Sequence, residues 1–212
     1  MKVFTYFEPD PKLNGYLAVL ESWKLLWANA GFEPVVLTEV DAQKHPMFNE
    51  VDAHVCSLPT VNPQMYERAC WLRWLAVEAV TPYGESSLMV DIDVVPNPRS
   101  EITNYCCGIK GTTILDIGGC PCAVYAVPGQ IPSRILRWNE TDTINGRLHT
   151  SDMYMFRASD FARVDVCREW GSPNWEEAEM IHLASGALHN MGFNKQRYNE
   201  ALYHMFRLLF QP

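Results

Sequence analysis

Long apolar runs, positive charge and paired cysteines are all scarce in this chain of 212 residues. No apolar run approaches the roughly 18 residues of a transmembrane helix, so we expect none. Lys and Arg number 17 against 25 for Asp and Glu, which gives a formal net charge of −8. This acidic balance argues against a broad, non-specific grip on nucleic acid or on an anionic membrane, although it leaves room for a local basic groove.

The seven cysteines are an odd number, and none lies in a C-x-x-C pair. The close sets are Cys106-Cys107 and Cys120-Pro121-Cys122, whose flanks are apolar and strand-like. A zinc site typically uses spaced pairs with a turn between them, so this pattern predicts buried free thiols in a reducing cytosol and no zinc. The opening residues, MKVFTYFEPDP, become acidic too early for a signal peptide, which also favours a cytoplasmic location.

Composition and periodicity indicate one α/β domain over residues 1–212. Hydrophobic residues make up 48% and charged residues 20%, as in an ordinary globular protein with a sizeable core. Residues 3–7 and 33–38 have the β-branched and aromatic content of strands. Between them, apolar residues recur with the period of one helix face before a stop at Gly31. That face consists of Tyr16, Leu20, Trp23 and Trp27. This order predicts a β-α-β unit with parallel strands.

A second helix at 64–80 and a buried strand from residue 87 continue the pattern. We therefore predict a Rossmann-like, mostly parallel central sheet covered by helices, with a smaller β-rich C-terminal part. Other predicted strands lie at 53–58, 105–109, 114–117, 123–127 and 180–184, and other helices at 131–138, 159–169 and 194–210.

The stretch SLMVDIDVVPN, residues 87–97, carries the main chemical signal. Its apolar residues 88–90 indicate a buried strand, and Asp91 and Asp93 interrupt the apolar run. Residues two apart on a strand point to the same side, so both carboxylates are expected to leave the sheet together. Such a pair repels itself unless a cation lies between the two, and oxygen ligands suit Mg²⁺ or Mn²⁺ bound with substrate phosphates. The proline-rich end of the stretch is expected to stop regular pairing in a loop.

The segment from YERACWLRWLAVEAV to GESSLMVDIDVVPN resembles the core of DXD-containing glycosyltransferases of the GT-A fold. It is similar to the sugar-binding-DXD group, which includes fungal-type initiating mannosyltransferases and glucosylating bacterial toxins. In that group a helix carries S-D-x-x-R-x-x-x-L and the next strand ends in D-x-D. Arg73 matches the arginine, and Asp91-Ile92-Asp93 matches the acidic motif. Cys70 stands where the group has its aspartate, and Glu67, one turn earlier on the same face, is a candidate replacement. The resemblance covers residues 1–100.

The resemblance implies a reaction and assigns residues to it. A sugar would pass, with retention, from a nucleoside diphosphate sugar, with a UDP-sugar preferred, to an acceptor hydroxyl. Residues 1–100 would bind the donor, and residues 101–212 would form the acceptor side. Asp93 would bind Mn²⁺ or Mg²⁺, and Asp91 would contact the donor as well as the metal. The remaining donor contacts implied are Thr5, Tyr6 and Phe7 at the base, Glu67 at the sugar, and Arg73 at the sugar or phosphates.

Residues later in the chain complete the expected site. In related enzymes a third metal ligand is a histidine after a late strand, and here His182 is preferred to His189. Asp152 either caps the helix that follows it or faces the reacting sugar. Lys195 and Arg197 open the terminal helix, where cations oppose the helix dipole. They would meet the leaving diphosphate or simply remain solvated.

Several functions remain open at this point. The acceptor could be a saccharide, or a hydroxymethylated pyrimidine of DNA as in phage-type sugar transferases. The chain could also be a non-catalytic module that binds nucleotide sugars. A haloacid-dehalogenase-like phosphatase also carries D-x-D after an apolar strand. In that class the motif lies near the start of the chain and is followed by Gly-Thr or Thr. Here the motif begins at Asp91 and is followed by Val-Val-Pro, which argues against such a phosphatase.

Overall fold

The computed structural model describes residues 1–8, 14–106, 108–193 and 197–209, without the side chains of 14–16. Within these residues the strands are β1 (Lys2–Tyr6), β2 (Glu33–Leu37), β3 (Ser87–Val90), β4 (Val94–Pro96), β5 (Thr113–Ile114), β6 (Ala123–Ala126), β7 (Asp142–Ile144), β8 (Arg147–His149), β9 (Ala162–Arg163), β10 (Cys167–Glu169) and β11 (Met180–His182). The α-helices are α1 (Asn14–Asn29), α2 (Glu39–Ala42), α3 (Phe48–Ser57), α4 (Gln64–Val80), α5 (Ile102–Cys106), α6 (Pro132–Ile135), α7 (Asp152–Ala158), α8 (Ser185–Asn190) and α9 (Tyr198–Leu209). None of the helices in these ranges is long and apolar enough to span a bilayer.

The central sheet has six strands in the order β2-β1-β3-β6-β5-β9. β1 is parallel to both β2 and β3, so the predicted β-α-β unit is confirmed. β6 is antiparallel to β3 and to β5, while β5 and β9 are parallel. The fold is therefore α/β with a mixed sheet, and it is mostly parallel as we predicted, because β6 alone runs against the other five strands of the central sheet. A short connection joins β5 to β6, and such a connection can link neighbouring strands only in antiparallel fashion.

A smaller sheet has the strand order β10-β11-β4. Its strand β4 begins directly after the two aspartates. β4 pairs antiparallel with β11, and its last residue, Pro96, lies opposite Met180. The prediction that the prolines end regular pairing is confirmed, because β4 stops at Pro96, although the edge strand itself accommodates this residue. The same register places His182 opposite Val94, immediately after Asp93.

Helix α4 runs over the predicted residues and lies at the centre of the first core. Every residue from Trp71 to Glu78 is buried, although an amphipathic pattern alone predicts one buried face. Full burial arises because α2 and α3 pack on α4 from one side, while strands of the central sheet pack on it from the other.

Three predictions of secondary structure were wrong. Residues 53–58 belong to α3, whose buried Val51 and Val55 have the four-residue spacing of a helix. The described residues of 105–109 include the end of α5 and no strand, and residues 159–169 contain β9 and β10 and no helix. The strand predicted at 114–117 is shorter. The elements predicted at 123–127, 131–138 and 180–184 are confirmed, as is the described part of the terminal helix.

Two further cores complete the molecule. Helix α1 covers the other face of the central sheet and contributes Trp23 and Trp27. A third core joins α9 to the smaller sheet and includes Ile181 and Tyr198. Strands from before and after residue 100 are neighbours in both sheets, so the predicted donor and acceptor halves share one framework.

Candidate functional site

The two aspartates occupy a turn between the two sheets. β3 ends at Val90, and the N–H of Val94 donates a hydrogen bond to the carbonyl of Asp91 at 3.0 Å. The N–H of Asp91 donates to the carbonyl of Cys122 at 2.7 Å, and the N–H of Leu183 donates to the carbonyl of Asp93 at 2.8 Å. The two carboxylates leave the sheet together as we predicted, but a continued strand is not what brings them together. The turn brings them together instead, at the carboxyl end of β3.

His182 joins the two aspartates. One ligand atom from each of Asp91, Asp93 and His182 lies within 4.8 Å of the others, and Nε2 of His182 is 3.5 Å from Oδ1 of Asp93. Two carboxylates and one imidazole form a donor set that suits Mn²⁺, and the carboxylates also suit Mg²⁺. His189 is exposed on α8 and belongs to no such cluster among the described residues. Of the two histidines considered, His182 is therefore the one beside the aspartates.

The acidic pair has an unfavourable environment in the absence of a cation. Burial raises the pKa of Asp91 to about 6, the neighbouring Arg73 opposes this rise, and the negative charge of Asp93 adds to it. Burial acts to lower the pKa of His182, but Cys122 and Asp93 raise it well above its usual value. Both pKa shifts favour the protonated forms of these side chains. A divalent cation would take the place of those protons.

Arg73 of α4 bridges Asp91 and Asp152. Its Nη1 donates a hydrogen bond to Asp91, and its Nη2 donates to Oδ2 of Asp152 at 2.6 Å. The indole Nε1 of Trp74 donates to the same Asp152 oxygen at 3.1 Å, and the guanidinium lies 4.6 Å from the centre of the Trp74 ring. Arg73 is 7% exposed and Asp152 is 2% exposed. The predicted donor-contacting arginine is thus held between two carboxylates, and its contact with a donor stays a prediction.

Asp152 opens helix α7 but does not cap it. Ser151 is the N-cap, and its Oγ accepts a hydrogen bond from the N–H of Met153 at 3.3 Å. Of the two roles considered for Asp152, helix capping is therefore wrong, because Ser151 caps the helix. Its carboxylate instead faces Arg73 and Trp74, beside the metal-ligand cluster.

Glu67 lies on the same α4 face, one turn before Cys70. It is 3% exposed, its Oε2 accepts a hydrogen bond from Asn62 at 2.8 Å, and its Oε1 has no hydrogen-bond partner among the described residues. Burial raises the pKa of the Glu67 carboxyl, the Asn62 hydrogen bond opposes this rise, and the charge of Asp152 adds to it. The unpartnered Oε1 atom is itself buried, so contact of Glu67 with a donor sugar stays a prediction.

The residues expected at the donor base are mostly core residues. Thr5 is fully buried and Phe7 is 8% exposed, while Tyr6 is half-buried against the first core. Tyr66, by contrast, is 62% exposed. Its pKa is raised by Cys70, by burial and by the charge of Asp91, so it lies near the same cluster. The spacing of Tyr66, Cys70 and Arg73 on one helix face was the signal that could have identified this aromatic residue.

Lys195 and Arg197 are the two cations expected at the start of the terminal helix. Lys195 lies outside the described residues. Arg197 is about half exposed, and its Nη2 donates a hydrogen bond to Oε2 of Glu200 at 2.6 Å. Its neighbour Tyr198 is buried, and both burial and the charge of Asp93 raise the pKa of Tyr198. The start of α9 is therefore close to the aspartates, whereas contact with a diphosphate stays a prediction.

A second cluster, which we did not predict, also includes His182. Cys120, Cys122 and His182 each offer a ligand atom within 4.8 Å of the others. The sequence argument against zinc depended on the spacing of cysteine pairs, and spacing along the chain does not report residues that meet from different strands.

Comparison of the chain with protein-family models and with curated proteins finds no match in either case.

Proposed function

We propose that this chain is a metal-dependent glycosyltransferase of the GT-A type. It would transfer a sugar from a nucleoside diphosphate sugar, with a UDP-sugar preferred, to an acceptor hydroxyl with retention. The observation that carries the proposal is the meeting of Asp91, Asp93 and His182 at the carboxyl end of β3. Ligands of open α/β sheets bind beyond the carboxyl ends of the parallel strands, and β1 and β3 are parallel neighbours here.

Each part of the site has a task in this proposal. A Mn²⁺ or Mg²⁺ ion held by Asp91, Asp93 and His182 would act as a Lewis acid toward the diphosphate leaving group. Arg73 orients Asp91 toward the metal and Asp152 toward the sugar, because it donates hydrogen bonds to both. Glu67, one turn before Cys70 on α4, would contact the donor sugar. The exposed ring of Tyr66 offers a surface on which a nucleotide base could stack.

A saccharide acceptor fits the acidic chain better than DNA does. The formal net charge of −8 opposes association with a polyanion. The experiment described next would also detect sugar transfer to a hydroxymethylated base in DNA. It would likewise distinguish donor binding without transfer.

The experiment measures release of nucleoside diphosphate from a panel of donor sugars, with Mn²⁺ and with excess EDTA, in the presence of saccharide or duplex DNA acceptors. We expect metal-dependent release that Asp93→Ala abolishes while the melting temperature stays nearly unchanged. Asp142→Ala removes an exposed aspartate on the β7–β8 hairpin and serves as the matched control with full activity. Full activity of Asp93→Ala, or release that EDTA leaves unchanged, would contradict the proposal. Binding of a donor without release would identify a non-catalytic module.

A further inference from the structure

A compact group of sulfur atoms lies beside His182. Cys120 and Cys122 precede β6, Cys167 begins β10, and His182 ends β11. The Sγ atoms of Cys122 and Cys167 are 3.9 Å apart, and both residues are almost completely buried. Cys120 is partly exposed, so the group has a route to solvent.

The backbone holds these residues in place through hydrogen bonds outside the cluster. The N–H of Cys120 donates to Oδ1 of Asp116 at 3.1 Å, and the N–H of Cys167 donates to the carbonyl of Leu115 at 2.8 Å. The carbonyl of Cys122 accepts from the N–H of Asp91 at 2.7 Å. The ligand atoms are therefore positioned by strands and turns before any ion arrives, which lowers the cost of ordering a site.

The ligand atoms of Cys120, Cys122 and His182 converge. Each lies within 4.8 Å of the other two. Zn–S bonds of about 2.3 Å at tetrahedral angles place two sulfur ligands about 3.8 Å apart, which is within this limit. Thiolate and imidazole together favour Zn²⁺ over the hard cations that suit carboxylates.

We infer that Cys120, Cys122 and His182 form a binding site for a thiophilic divalent cation, Zn²⁺ in the first instance. Binding would displace the thiol protons to solvent. His182 also lies 3.5 Å from Asp93, so the sulfur site and the aspartate site share one imidazole. One expectation from this inference rests on the proposed function. Zn²⁺ bound at the sulfur site should weaken the activation of sugar transfer by Mn²⁺.

The test uses Co²⁺ as a spectroscopic probe of the EDTA-treated full chain, kept reduced by a phosphine. We expect a thiolate-to-Co²⁺ charge-transfer band in the near ultraviolet and intense visible bands of tetrahedral Co²⁺, saturating at one equivalent and displaced by Zn²⁺. Cys122→Ser and Cys120→Ser should lose the charge-transfer band. Cys56→Ser, which alters an exposed cysteine of α3, should keep it.

Two further measurements keep the outcome interpretable. Circular dichroism checks that each variant folds, and the partly exposed Cys120 provides a variant less disruptive than the buried Cys122. Asp93→Ala should retain the charge-transfer band, so failure of sugar transfer and failure of sulfur coordination are distinguishable. A wild-type chain without the band, or a band that survives both Cys120→Ser and Cys122→Ser, would overturn the inference.

Discussion

At the scale of single residues, the site depends on an arginine buried among carboxylates. Arg73 donates hydrogen bonds to Asp91 and to Asp152, while its Nε has no hydrogen-bond partner among the described residues. A buried ion pair gives little net stability, but removal of one partner leaves the others charged and unpaired. We therefore regard Arg73 as the residue that holds two acids from different elements in one place.

Replacement of Arg73 tests this view. We expect Arg73→Met to lower the free energy of unfolding by about 3–5 kcal/mol, because Asp152 then remains buried without its cation. Arg134→Met is the matched control, since Arg134 pairs with Asp160 at the surface and an exposed pair contributes at most about 1 kcal/mol. Urea unfolding curves of both variants give the comparison, and equal losses would contradict the special role of Arg73.

At the scale of elements, the start of α7 places Asp152 beside α4. The helix has seven residues, and Ser151 caps its first turn by accepting the N–H of Met153. Asp152 follows the cap directly and contacts Arg73 and Trp74. The cap thus contributes both to the stability of α7 and to the position of a candidate catalytic acid.

We expect Ser151→Ala to reduce the free energy of unfolding by about 1 kcal/mol, because an N-cap hydrogen bond is lost. Under the proposed function, sugar transfer should also fall, since Asp152 is no longer anchored at its N-terminal side. Ser86→Ala, at an exposed serine in the turn before β3, should change neither quantity. Thermal unfolding and donor turnover measured on both variants check the prediction. Unchanged stability of Ser151→Ala would show that tertiary contacts alone hold the start of α7.

At the scale of the whole molecule, the two halves of the chain are interleaved. β3, from the first half, pairs with β6 from the second, and β4 pairs with β11. The hydrophobic cores likewise combine residues from both halves. The predicted division at residue 100 therefore does not separate two independently packed parts.

A fragment of residues 1–100 should consequently fail to fold. It lacks β6 and β11, so β3 and β4 would each present an unpaired edge and the cores would lose half of their surfaces. We expect no cooperative urea transition in the far-ultraviolet circular dichroism of this fragment, whereas the full chain should show one. A cooperative transition in the fragment would mean that the first half forms its own core.

Local patterns were sufficient where a segment carries a strong period. The apolar spacing in α1 and α4, the strands β1 and β3, and the acidic motif after β3 were all predicted from neighbouring residues. The predictions failed where partners are distant in sequence. Residues 53–58 looked like a strand until α4 supplied the surface against which α3 packs, and β4 is a strand only because β11 lies beside it.

Short-range periodicity was enough to predict that Asp91 and Asp93 follow a buried strand and that Arg73 lies on the preceding helix. Which distant residues meet them depends on the tertiary structure. His182 arrives through the pairing of β11 with β4, Asp152 through the first turn of α7, and the cysteines through β6 and β10. Strand pairing and helix packing join residues whose separation along the chain carries no information about their separation in space, and the candidate site is made of such pairs.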